Sequence, residues 1–214
     1  MDEIILIRSR RKTVSLTVNE RGEAIVRAPL FMPQREISAF VRKHETWIEK
    51  KRQECARAEK VSFRDGDTLR LFGREYLICE GRSRISGGKL FLPAAGRGKA
   101  LVRLLKRLTA QEMGERTRMT AERYGFSYNA VRVSSARTRW GSCNRRGMIA
   151  YSFRTAFLPA ELAEYVAVHE LCHTRHFDHG KAFWAEVALI LPDWRERRKK
   201  LKECGAVMRI PFDE

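Results

Sequence analysis

A chain of 214 residues with 43% hydrophobic content can build one large domain or two small ones with a real core, and no apolar run approaches the ~20 residues of a membrane helix. Its formal charge of +17 comes from 43 Lys and Arg against 26 Asp and Glu, spread over both halves of the chain, so there is no basic tail. Five scattered cysteines (Cys55, Cys79, Cys143, Cys172, Cys204) form no Cys-x-x-Cys pair, which argues against a disulfide framework and against a thiolate zinc site.

Met1-Asp2-Glu3 opens with acids where a secretory signal carries basic residues, so a cytoplasmic chain is expected. Ile4 to Ile7 is an apolar run, Val14, Leu16 and Val18 alternate with polar residues, and a turn at 19–22 precedes Ala24 to Val26; together these read as a meander. After Pro29 and Pro33, the spacing of Ile37, Phe40, Val41, His44 and Ile48 predicts one helix from Gln34 to about Arg57, with His44 structural. Thr68 to Phe72, Glu75 to Cys79 and Lys89 to Leu92 read as strands, the first two joined by a hairpin at Phe72-Gly73. Residues 93–98 are the expected linker between a β-rich N-terminal region, 1–97, with one helix, and a C-terminal domain, 98–214.

From Gly98 to about Arg123, Leu101, Leu104, Leu105, Leu108, Met113 and Met119 predict a long core helix. Short strands are expected at 130–133, 138–140 and 148–153, with 141–147 as a turn. Trp140-Gly141-Ser142 reads either as cleft lining, with Ser142 or Arg139 positioning a carbonyl, or as a packed corner. Further helices are expected at Ala182 to Leu191 and from Trp194 to about Cys204, then an edge strand from Met208 to Phe212. The densest basic runs are Arg8 to Lys12, Arg42 to Arg52, Arg137 to Arg146 and Arg195 to Lys202; such a field draws in acidic peptides and polyanions.

Four of the five histidines lie between His169 and His179. Residues 161–175 hold no Gly or Pro and predict a helix, which stacks His169 and His173 on one face, four residues apart. Glu170 follows the first histidine, beside the pair and outside it. His-Glu-x-x-His in a helix suits a catalytic zinc, whose three protein ligands leave one position for water and whose nearby carboxylate takes a proton. The third ligand is open. In a continued helix His176 would sit about 10 Å along the axis from His169 at ~1.5 Å per residue, so a chain that turns back favours His179, with His176 and Glu186 as alternatives. Asp178 fits either an acceptor behind the ligands or a loop cap better than a ligand, and Phe183, Trp184 and Val187 fit packing beneath the ion.

His169-Glu170-Leu171-Cys172-His173, then His179, then Ala182-Phe183-Trp184, preceded by Trp140-Gly141-Ser142-Cys143, resembles the YgjP-like metallopeptidase family, relatives of the SprT-like and WLM zinc peptidases. The likeness extends upstream to Pro29 and to the Phe40-Val41 and Trp47-Ile48 helix. The metzincin pattern differs, with Gly where this chain has His176. The resemblance implies Zn2+ held by His169, His173 and His179, Glu170 as general base, and substrate paired along Met148 to Phe153. It implies an α+β, zincin-like domain with its active-site helix against a small antiparallel sheet. A protein or peptide substrate is expected, with nucleic acid a further candidate partner for the basic surface and no membrane partner. A metal-dependent nucleotide phosphohydrolase and a nucleic-acid-associated module are the rival readings.

Overall fold

The computed structural model describes residues 4–19, 22–57, 63–210 and 212. Two units emerge, Met1–Val61 and Ser62–Glu214. The division falls ahead of residues 93–98, which lie inside the second unit, where Gly96 at φ 63° starts the long helix.

In the first unit, β1 (Ile4–Ser9), β2 (Ser15–Val18) and β3 (Ala24–Pro29) form a sheet in the order β1-β3-β2. The expected meander is corrected: β2 and β3 make an antiparallel hairpin, but β1 runs parallel to β3 on its far side. Alternation tells which face of a strand is apolar and is silent on its neighbour. The single helix expected from Gln34 to Arg57 is two, α1 (Gln34–Lys43) and α2 (Glu45–Arg57). They break at His44, which leaves helical geometry at φ −110°, ψ 11° and whose Nδ1 lies 2.8 Å from the Phe40 carbonyl. Val26, Ala28 and Ile37 form the buried centre of this unit, with Val14, Leu16, Met32 and Val41 packed against it. The side chain of Cys55 lies outside the described residues.

The second unit opens with a four-stranded sheet in the order β4-β5-β7-β6, built from β4 (Thr68–Leu71), β5 (Arg74–Glu80), β6 (Arg84–Ser86) and β7 (Lys89–Leu92). The predicted hairpin is present, with Phe72 and Gly73 both at positive φ, 49° and 81°. Two consecutive residues in this region make the tight turn whose twist matches antiparallel strands.

Helix α3 (Arg97–Tyr124) then crosses the unit. Its buried ridge is Leu101, Leu105, Thr109, Met113, Thr117 and Ala121, an unbroken i, i+4 row. Leu108 falls off that row and is half-buried, and Met119 is exposed, in place of the core positions expected for them. The two threonines are satisfied inside the core, Thr109 donating to the Phe153 carbonyl (3.2 Å) and Thr117 to the Met113 carbonyl (2.6 Å).

A second sheet follows in the order β8-β10-β9, from β8 (Ala130–Ser134), β9 (Gly141–Cys143) and β10 (Met148–Ser152). It is mixed, where an antiparallel sheet was expected: β10 is parallel to β8 and antiparallel to β9. The strand expected at 138–140 lies three residues later, inside the stretch read as a turn. Residues Phe153–Phe157 form a 3₁₀ turn before α4 (Ala160–Cys172), which is followed by α5 (Lys181–Ile190) and α6 (Trp194–Glu203). Cys204–Arg209 is another 3₁₀ turn in place of the expected edge strand. Phe212 is buried against Phe63, Phe153 and Phe157. No helix among the described residues is long and apolar enough to cross a membrane.

Candidate metal centre

Helix α4 is apolar almost all round, and Leu162, Ala163, Val166, Ala167, Val168 and Leu171 bury it in the second unit. It ends at Cys172, with His173 as its cap, three residues before the predicted end. His169 and His173 share a face as expected, their ring centroids 4.9 Å apart. Cys172 is fully buried, a small packing residue.

The chain then turns back and brings His179 to the pair, its ring 5.0 Å from His169 and 4.7 Å from His173. Nε2 of His179 lies 3.1 Å from Nε2 of His169, and one donor atom from each of the three histidines falls within 4.8 Å of the others. Nitrogens bound tetrahedrally at ~2.0–2.1 Å stand about 3.4 Å apart, so the cluster fits a zinc-sized ion. Nδ1 of His173 is 2.9 Å from the carbonyl of His176; donating there, it leaves Nε2 as the bare lone pair.

The turn is held by contacts across the unit. The Arg175 guanidinium donates to the carbonyls of Tyr124 (3.2 Å) and Gly125 (2.6 Å), lies 4.0 Å over the Phe126 ring and pairs with Glu186. Nε2 of His176 lies 3.0 Å from the other carboxylate oxygen of Glu186. The two alternative ligands are thus engaged with each other and stand outside the histidine cluster. Asp178 accepts the Gly180 N–H at 3.1 Å, the loop cap expected of it. Gly180 has ordinary extended backbone, and the space is what matters there: a Cβ would meet Asp178 Oδ1 at 3.0 Å. Beneath the cluster Phe183 is fully buried, its ring 4.5–4.9 Å from all three imidazoles.

Burial, then the neighbouring His173 and His179, pushes the His169 pKa down to about 3, and burial with His173 also lowers that of His179. Both rings are therefore neutral near pH 7, the state that ligates a metal. His179 is exposed, so solvent reaches the cluster. Glu170 is only 5% exposed, and burial raises its pKa to about 8 against the opposing field of Arg139.

The sequence model of the YgjP-like metallopeptidase domain matches residues 12–204. The chain belongs to the YgjP-like family. Comparison with curated proteins and with solved structures returns no match.

In this YgjP-like chain Gly141 makes room for the carboxylate of the motif, since a Cβ there would come within 2.6 Å of Glu170 Cγ and Oε1. Strand β10, the stretch expected to pair with substrate, is the middle strand, with β8 and β9 occupying its two sides. Of the two edge strands, β9 is the one whose Gly141 lies against Glu170. The Ser152 N–H donates to Trp140 O (2.8 Å) and the Asn144 N–H to Met148 O (3.1 Å), so the alternating ladder turns the N–H and C=O of Gly141 and Cys143 outward. Ser142 pairs with Ala150, and its side chain lies on the sheet face opposite to Gly141 and Glu170. Trp140 is half-buried and joins β9 through its carbonyl, while exposed Arg139 acts on Glu170 through its charge.

Two neighbours of the YgjP-like site escaped sequence reasoning. Arg198 lies 4.8 Å from the Trp184 ring and disfavours the charged forms of His169 and His179, and Trp194 stacks on Trp184 at 4.3 Å. Their i, i+4 spacing on α6 was visible, but nothing local ties that helix to the histidines.

Proposed function

We propose that this chain is a zinc-dependent metallopeptidase of zincin-like build, with His169, His173 and His179 as ligands and Glu170 as general base. The observation that carries the reading is the meeting of three imidazoles at one point, beside the buried Glu170 carboxylate of α4. Zinc bound there supplies Lewis-acid activation of water and of the scissile carbonyl.

The chain's own residues do the rest. Glu170 takes a proton from the attacking water and returns it to the leaving amine, from a position beside the first histidine of the cluster. Phe183 holds the three rings from below and keeps water from their underside. The outward N–H and C=O groups of Gly141 and Cys143 on β9 hold an extended substrate as an added strand, which binds backbone with little sequence preference. Gly141 keeps that strand close to Glu170.

The test is Glu170→Gln: metal content stays at the wild-type level and hydrolysis of an unstructured protein is lost. Wild-type activity in that variant removes the general-base role.

A second reading, a metal-dependent nucleotide phosphohydrolase, is favoured by Lys181, Arg195 and Arg198 around the centre, none ion-paired to a carboxylate among the described residues. It requires triphosphate cleavage that Glu170→Gln suppresses.

A further inference from the structure

A groove of about 580 Å³ opens beside His179, floored by Trp184, Trp194, Ala185 and Ala188 and flanked by exposed Lys181 and Arg195. Its size falls in the ~300–1,000 Å³ range of ligand pockets. It lies on the α5–α6 side of the histidines, and His179 belongs to both.

The faces of the two indoles are occupied by neighbouring side chains. Trp184 and Trp194 stack on each other at 14°, His179 stacks on Trp184 at 26°, and the guanidinium groups of Arg195 and Arg198 lie 4.6 Å and 4.8 Å from the Trp194 and Trp184 rings. With their faces taken, the indoles offer no platform on which a nucleobase could stack. Indole edges and two alanine methyl groups suit an aliphatic side chain.

The charged side chains that line that floor, Lys181 and Arg195, are both cations. No carboxylate lines the groove, and Lys181, Arg195 and Arg198 have no carboxylate partner among the described residues. Elsewhere on α6, Arg197 is paired with Asp193 and Glu164, and Lys200 with Glu196. Lys181 and Arg195, the two cations that line the groove, are among those left uncompensated.

We infer that this groove is a specificity subsite that receives an aliphatic side chain flanked by carboxylates, so that the protein selects acidic, extended peptide segments. Its position next to the cleaved bond rests on the peptidase reading; its preference for the peptide does not. Rim charges of this kind act on encounter and on discrimination between partners, and weaken with salt.

Binding to the zinc-loaded Glu170→Gln protein tests the groove apart from turnover. The probes are a fluorescent peptide with leucine between glutamates, the same peptide with lysines for the glutamates, and a third with alanine for leucine. The acidic leucine peptide is expected to bind about tenfold more tightly than either of the others, the order of discrimination a filled apolar pocket or a reversed charge pattern supplies. The charge preference is expected to vanish in Lys181→Glu/Arg195→Glu, a change of two exposed residues, and the leucine preference in Ala188→Trp, with zinc content unchanged in both. Equal affinity for all three peptides, or preferences untouched by the variants, overturns the assignment. So does a nucleoside triphosphate that displaces the acidic peptide and loses affinity in Ala188→Trp. Selective binding by a wild-type protein that cleaves none of the peptides sinks the peptidase reading and leaves the subsite standing.

Discussion

Replacing Glu170 by Gln is expected to stabilise the metal-free protein, in a manner that depends on pH. Burial lifts the Glu170 pKa from 4.5 to about 8 in the folded chain, so between those values the folded state holds a proton that the unfolded state has released. The Glu170 contribution to stability therefore falls as pH rises from 4.5 to 8 and is level beyond. At ~1.36 kcal/mol per pH unit, the carboxylate costs about 3 kcal/mol at pH 7 and about 5 kcal/mol above pH 8. Gln carries no charge and escapes that cost. Denaturant midpoints of metal-free wild type and Glu170→Gln at pH 4.5, 7 and 8.5 measure it: no difference at the first, a growing advantage for Gln at the others. Added zinc should shrink the advantage, because a nearby cation favours the carboxylate. A Gln variant no more stable than wild type at the highest pH would mean that the Glu170 carboxylate is solvated, and the argument from its burial would fail.

Metal-free wild type should also weaken on the acid side. The folded His169 pKa near 3 lies below the ordinary 6.5, so the unfolded chain takes up protons first; in wild type Glu170 offsets this down to pH 4.5 and the midpoint drops below that, whereas in Glu170→Gln it drops from pH 6.5 toward 3. Gly141→Ala should push Glu170 from its position and cut turnover about a hundredfold, with zinc content, read by metal analysis, unchanged. His179→Ala should lower zinc affinity by orders of magnitude in a calorimetric titration, while His176→Ala, which keeps the carbonyl facing His173, should stay within about tenfold of wild type. Tyr151→Phe removes the hydroxyl contact with Thr117 (2.9 Å) in the core and should cost about 1 kcal/mol of stability in a denaturant titration.

The metal helix was legible because its evidence is local. His169, Glu170 and His173 lie within a little more than one turn, and the apolar residues before them bury the same helix. The 28-residue α3 and the Phe72-Gly73 hairpin were legible for the same reason, each written in spacing or turn chemistry a few residues long. His179 was readable as one choice among three. Its selection depends on Arg175 reaching the end of α3, some 50 positions away in the chain, and on Glu186 engaging His176.

Strand order, the edge position of β9 and the groove beside His179 belong to the tertiary structure alone. Alternation in β1 or β10 defines a buried face and leaves the partner unspecified, which is why a meander and an open β10 were expected where β1 runs parallel to β3 and β10 lies between β8 and β9. The stacking of Trp194 on Trp184 joins two helices across the break at Pro192, and no periodicity spans such a break. Local sequence sets which residues face inward on one element; which element they meet is decided by contacts between distant parts of the chain, where backbone pairing and packing act together.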